Sequence, residues 1–209
     1  MAIARLKPPV SHSVQVILYE IDSATSAVKV AVMSYTKGIG SRSFTTIRLP
    51  TETGLTGETV WDTAVRGTRE EAGKDGSFKF DLEGYVHCEF FDDEHDPEGS
   101  HIKIAMSGTI REGELRDFSK VDDGDPDEFH GPLQWVDIGE LLRNKGVDGL
   151  KLIHAHGASL CAFLHHLANM GDEKSKNIAY MYYPVMEAYP FGKLSRERTA
   201  DLDDYLQQQ

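Results

Sequence analysis

The sequence predicts an α/β (α+β) fold in which a mixed β-sheet is sandwiched between helices. Two observations carry that expectation. Apolar residues alternate along several short segments, and two longer segments repeat their apolar residues every three or four positions. At 209 residues the chain is long enough to close an ordinary core without disulfide or metal staples.

The first strand is expected at Ser13–Glu20, where Val14, Val16 and Leu18 alternate. After a polar turn at Asp22–Ser26, Val28, Val30 and Val32 do the same in Ala27–Tyr35, which makes the pair a hairpin. Further strands are expected at Phe44–Leu49, Phe78–Phe91, His101–Ile110 and Pro132–Val136. A helix is expected from Thr59 to Ala72, with Trp61, Ala64 and Val65 in its apolar stripe and Trp61 and Trp135 in the core. Thr59 with Asp62 forms a capping box and Gly73 is placed as the stop. A short helix fits Ile138–Arg143, and a longer one fits Leu150–Asn169, whose Leu152, Ile153, Leu160, Phe163, Leu164 and Leu167 share a face. Residues 10–170 form the domain. Residues 171–209 read as an aromatic C-terminal extension, with Tyr180, Tyr182, Tyr183, Tyr189 and Phe191, packed on that domain or on a partner subunit in a homodimer.

Lys and Arg number 22 against 34 Asp and Glu, a formal net charge of −12. So acidic a surface repels phosphate backbones and anionic lipid, which argues against extended nucleic-acid binding and membrane binding. Cys88 and Cys161 are too few for a disulfide framework or a four-sulfur zinc site. With no apolar core near the start and no stretch approaching 20 apolar residues, a soluble cytoplasmic protein is expected. The acidic loops Asp92–Glu98 and Asp122–Glu128 read as solvated. The second spaces Asp123, Asp125 and Asp127 like a calcium loop, but Glu128 and Gln134 stand where that loop needs Gly and Glu. His154 and His156, two apart, and the adjacent His165 and His166 do not share a helix face, and no H-E-x-x-H occurs.

The chemistry is concentrated between Leu49 and Gly73. Glu58, Arg66, the pair Glu70-Glu71 and Gly73 are spaced as in the Nudix box, G-x5-E-x7-R-E-U-x-E-E-x-G-U with U a bulky aliphatic, and the chain from about 10 to 170 resembles the Nudix hydrolase superfamily. The box is degenerate. Glu52 stands at its first Gly, Gly67 at its first helix Glu, and Thr68 and Lys74 at its aliphatic positions. The resemblance implies Mg²⁺-dependent hydrolysis of a diphosphate linkage in a nucleotide derivative, a nucleoside diphosphate linked to another moiety. Mn²⁺ is a substitute ion, and a small-molecule nucleotide the partner. It further implies metal ligation by Glu70 and Glu71, catalytic roles for Glu71 and for Glu128 in the loop before the Trp135 strand, and a structural link between Glu58 and Arg66 closed by Gly73. The alternative is a weak or inactive nucleotide-binding or regulatory module, its carboxylate lost at Gly67.

Elementary chemistry gives the same residues a role. Positions 67, 70 and 71 lie on one helix face about 5–6 Å apart at Cβ, and clustered carboxylates repel unless a hard cation binds them. Gly inside a helix costs about 1 kcal/mol relative to Ala. A Gly67→Glu change is therefore expected to stabilise the helix and restore a ligand. The alternative is that Gly67 admits a close neighbour, in which case the change clashes.

Overall fold

The computed structural model describes residues 10–39, 42–74, 76–92, 100–122, 125–170 and 172–189. The expectations at residues 93–98, at Asp123 and at Phe191 lie outside them. Along the chain run β1 (Val10–Ile21), β2 (Val28–Ile39), β3 (Arg42–Arg48), β4 (Thr51–Thr53), α1 (Val60–Ala72), β5 (Lys79–Asp92) and β6 (Ser100–Glu112). Then follow β7 (Lys120–Val121), β8 (Glu128–Asp137), α2 (Ile138–Asn144), β9 (Gly146–Val147), β10 (Leu150–Lys151), α3 (His154–Asn169) and α4 (Glu173–Ala188).

One mixed sheet in the order β5-β6-β1-β2-β8-β7 organises the molecule, with β3 added to β2 and β4 to β1. β1 and β6 are parallel, and the remaining pairings are antiparallel. The expected hairpin pairs Tyr19 with Val30. The strict alternation of β1 and β2 divides their side chains between two faces. Val14, Val16, Leu18, Ala31 and Met33 pack with Ala64 and Ala72 of α1. Ile17, Tyr19, Val28, Val30 and Val32 pack with Leu141 of α2, Leu160, Phe163 and Leu164 of α3, and Ile178 and Tyr182 of α4. The sheet is thus sandwiched between helices, as the pattern predicts.

Three local expectations are corrected. Trp61 is 45% exposed, because the buried stripe of α1 runs through Thr63, Ala64, Gly67, Thr68, Glu71 and Ala72 and leaves Trp61 off its centre in the first turn. Trp135 is only partly buried. Leu150–Ile153 is not the first turn of α3. Asp148 and Gly149 take positive φ of 51° and 79°, a two-residue turn that pairs Leu150 with Val147.

Helix α4 is part of this core. Tyr182 is buried, accepts a hydrogen bond from the Val28 backbone N–H (2.8 Å) and donates to Asp137 Oδ2 (3.1 Å), which holds α4 to an internal strand and to the start of α2. Tyr182→Phe keeps the ring and orphans the buried Val28 donor. A loss of about 1–3 kcal/mol in urea unfolding is expected; an unchanged midpoint would show that α4 packs without this bond.

Candidate active site

Helix α1 presents the site, and its start is set locally. Thr59 Oγ1 accepts from the Asp62 N–H (3.1 Å) while Asp62 Oδ2 accepts from the Thr59 N–H (3.1 Å), the expected capping box. Just before it, Glu58 receives Arg66 from the second turn: Nε donates to Oε1 (2.7 Å) and Nη2 to Oε2 (3.0 Å). Leu55 N–H and the Thr63 hydroxyl also donate to Oε2 (2.9 and 3.1 Å), and His12 Nε2 lies 2.9 Å from that hydroxyl. Hydrogen bonds from Arg66 first, then from Leu55, hold the Glu58 carboxyl down at about 2. Arg66 also donates through Nη2 to the Thr53 carbonyl (2.8 Å) and through Nη1 to Glu70 (3.1 Å), and Nη1 stands 3.4 Å from Glu52. Gly73 ends the helix in an extended conformation (φ −74°, ψ 139°).

One residue past Glu70 the surroundings change. Glu70 is half exposed, whereas Glu71 is buried. Each Glu71 oxygen is held by a cation or a donor: Lys120 Nζ lies 2.7 Å from Oε1 and His130 Nδ1 lies 2.8 Å from Oε2. Burial alone would raise this carboxyl. The hydrogen bonds from His130 and Lys120 outweigh it and bring Glu71 to about 2. His130 itself is buried and reaches Glu71 because β2 and β8 shift register between Met33 and Tyr35, after which His130 stands opposite Tyr35. Arg48 Nη2 approaches His130 Nε2 (3.2 Å), so donation from Nδ1 to Glu71 and acceptance at Nε2 is the arrangement these partners assign. Behind Glu71, the buried Arg116 donates to the carbonyls of Glu71 (3.0 Å), Gly131 (3.1 Å) and Phe118, tying the C-terminal end of α1 to β8.

Glu128 opens β8 at the same end of the sheet. It pairs with Lys37, and Tyr35 donates to it; burial raises its carboxyl, but the Lys37 and Tyr35 hydrogen bonds leave it lowered overall. Glu128, Asp122 and His130 offer ligand atoms all within 4.8 Å of one another. His130 therefore links Glu71 to Glu128, whereas the Glu70 side chain faces Arg66.

At Gly67 the expectation of a restored ligand is overturned. A Cβ there would run into the Cβ of Glu52 and stand 2.9 Å from its Cγ. Glu52 on β4 lies across the helix at this point, and Gly67 is what lets it approach. A glutamate at 67 clashes in this chain.

Sequence reasoning missed Lys37, Arg48, Arg116, Lys120 and His130. These lie on β2, β3, the β6–β7 connection, β7 and β8, and no local spacing relates them to the box. His156, by contrast, accepts from the Leu49 N–H (3.0 Å) inside the core, a structural role.

No protein-family model matches the sequence, and neither does any curated protein. Solved structures do match. A Nudix hydrolase from Nitrosomonas europaea aligns with a TM-score of 0.51 at 14% identity, covering 75% of this chain and 89% of its own. The E. coli ORF135 protein aligns with a TM-score of 0.51 at 17% identity over 78% and 95%. The M. smegmatis Nudix hydrolase RenU gives 0.50 and 16% over 76% and 87%. The chain has the Nudix fold.

The Glu71 carboxyl makes a signed pH prediction. Its folded value of about 2 lies below the ordinary 4.5, so its contribution is complete above about pH 4.5 and is lost as pH falls toward 2. At 1.36 kcal/mol per unit that contribution is about 3 kcal/mol. In chelator, the stability gap between wild type and Glu71→Gln should be present at pH 6 and narrow by pH 3 in urea unfolding. A gap that stays constant over that range would contradict the ionised, hydrogen-bonded carboxylate.

Proposed function

We propose that this chain hydrolyses a diphosphate linkage in a nucleotide derivative, a nucleoside diphosphate joined to another moiety, with Mg²⁺ (or Mn²⁺) held at Glu70 and Glu71. The observation that carries this reading is the intact clamp of Arg66 on both oxygens of Glu58, on a Nudix fold, which fixes the turn of α1 from which Glu70 and Glu71 project. The donor set suits a hard divalent cation: the oxygens are carboxylates, and Lys120 already places a positive charge 2.7 Å from Glu71. Lys120 is partly exposed and long enough to yield that position.

Glu70 and Glu71 would hold the ion, which when bound would supply positive charge for phosphate oxygens and lower the pKa of a water. The chain's residues do the rest. Glu71 is kept ionised by His130, and Arg116 fixes the backbone from which it projects. Glu128, also ionised, is the carboxylate assigned to accept the proton of the attacking water. Lys37, Arg48 and Lys120 give an otherwise acidic surface a local set of cations for phosphate.

A second reading has its own observation. Glu71 and Glu128 are each already neutralised by a lysine, Lys120 and Lys37, which favours a module that binds nucleotides without hydrolysing them. The two readings separate in one screen of nucleoside diphosphate derivatives. Hydrolysis predicts product only with Mg²⁺ or Mn²⁺, and a loss of at least about 10–100-fold in Glu70→Gln, the scale of losing even an outer-shell partner. Glu70 is the clean position because its half-exposed side chain leaves the fold intact when neutralised, whereas Glu71→Gln also strands Lys120 and His130. A thermal shift with nucleotide and no product with either ion would decide for the binding module.

A further inference from the structure

We propose that Lys120 is a tethered counter-ion that occupies the cation position on Glu71, so that a divalent ion binds there only by displacing it. The inference rests on the metal-dependent reading above and deepens it by naming the side chain that controls entry of the ion.

Three observations converge on Lys120. The first is position. Its Nζ lies 2.7 Å from Glu71 Oε1 and 3.4 Å from the Glu70 carbonyl oxygen. One positive charge therefore already stands between oxygens of two consecutive residues at the C-terminal end of α1, where the helix dipole also favours a cation. His130 engages the other carboxylate oxygen, Oε2, so a second cation directed at Glu71 meets the ammonium at Oε1. The second observation is unequal anchoring. The Glu71 side chain is 3% exposed and that of Lys120 is 27% exposed. Glu71 comes from the packed face of α1, whereas Lys120 comes from β7, a two-residue strand at the end of the strand order. The carboxylate is confined, while the ammonium sits on a flexible four-carbon stem and is strongly hydrated, so it can move out into water. The third is redundancy of support. His130 holds Oε2 and Arg116 holds the Glu71 carbonyl. When Lys120 leaves, the carboxylate keeps its place and lacks only a cation, and a hard divalent ion suits its oxygen.

A purely structural Lys120 predicts something different. A lysine present only to neutralise a buried carboxylate stays on it whether or not a divalent ion is in solution, because breaking such a pair is costly. A displaceable lysine is instead a competitor. Ion binding frees its amine, and removing its charge strengthens ion binding.

The test is Mn²⁺ binding to the full chain, read by calorimetry, with thermal unfolding in chelator as the control for folding. Lys120→Gln should tighten Mn²⁺ by about 10-fold or more, since it deletes a like charge at contact distance from the ligand oxygen, and Mn²⁺ should raise its unfolding temperature more than that of wild type. Lys29→Gln deletes the same charge beside Glu20, at the far end of the β1–β2 hairpin, and should bind as wild type does. Adding Glu71→Gln to Lys120→Gln should abolish the gain. A second measurement needs no substitution: acetylation of the wild-type lysines by an activated ester, read by peptide mass. Mn²⁺ should speed labelling of Lys120 and leave that of Lys79, exposed beside Glu112, unchanged. Unchanged Mn²⁺ affinity in folded Lys120→Gln, or Mn²⁺ bound to wild type with Lys120 labelling unaltered, would overturn the displacement and leave the metal-dependent reading standing where Glu70→Gln is defective. A gain that survives Glu71→Gln would overturn it too, by assigning the ion to other ligands. Mn²⁺ binding by neither wild type nor Lys120→Gln would overturn both.

Discussion

The guanidinium of Arg66 is the interaction on which the site depends. It meets Glu58 with two parallel bonds, reaches Glu70 on its own helix, and bonds the Thr53 carbonyl and faces Glu52 on β4. Three carboxylates and a strand are thereby drawn around one delocalised cation, a geometry that a lysine's point charge cannot reproduce. An exposed ion pair is worth little by itself, about 0–1 kcal/mol. Here the value lies in position, because the same contacts fix the turn of residues 54–58 against α1.

From that anchor the helix must also be held at its far end. Arg116, buried, does this by donating to the carbonyls of Glu71 at the end of α1, of Phe118 and of Gly131 in β8. A cation at a helix C-terminus complements the helix dipole. Its burial lowers its own proton affinity, partly offset by Glu71. The consequence for the site is that Glu71 meets His130 on a neighbouring strand, so a residue of the helix and a residue of the sheet share one hydrogen bond in the core.

The local charge at this end runs against that of the whole molecule. The chain carries a formal −12, yet Lys37, Arg48 and Lys120 converge on the carboxylates of α1 and β8. Net charge speaks to long-range approach, and at contact distance the nearest side chains set the field. Lys120 and Lys37 pair with Glu71 and Glu128, so the charges of these two carboxylates are balanced within the chain itself.

The sequence by itself determined the layers and the helix that bears the site. Strict alternation in β1 and β2 can be buried only by a sheet covered on both faces, and the Thr59–Asp62 box with Gly73 marks α1 to within a residue because capping is a local hydrogen-bond problem. The Glu58–Arg66 link was legible only through the resemblance of the box, and the structure shows it. The exposure of Trp61 and the start of α3 were misread, since periodicity finds a stripe without finding its centre and the apolar Leu150, Leu152 and Ile153 extend the helical pattern across a short strand. What only the tertiary structure decided is which carboxylates are compensated, and by what. Lys120, His130 and Arg116 reach Glu71 from 45 to 59 positions away, and His130 stands where it does after a register shift between β2 and β8 that no local spacing encodes. Gly67 is the sharpest case: in sequence it is a missing side chain, and in space it is the clearance for Glu52, because steric exclusion acts between residues that pairing on the sheet, not proximity in the chain, has made neighbours.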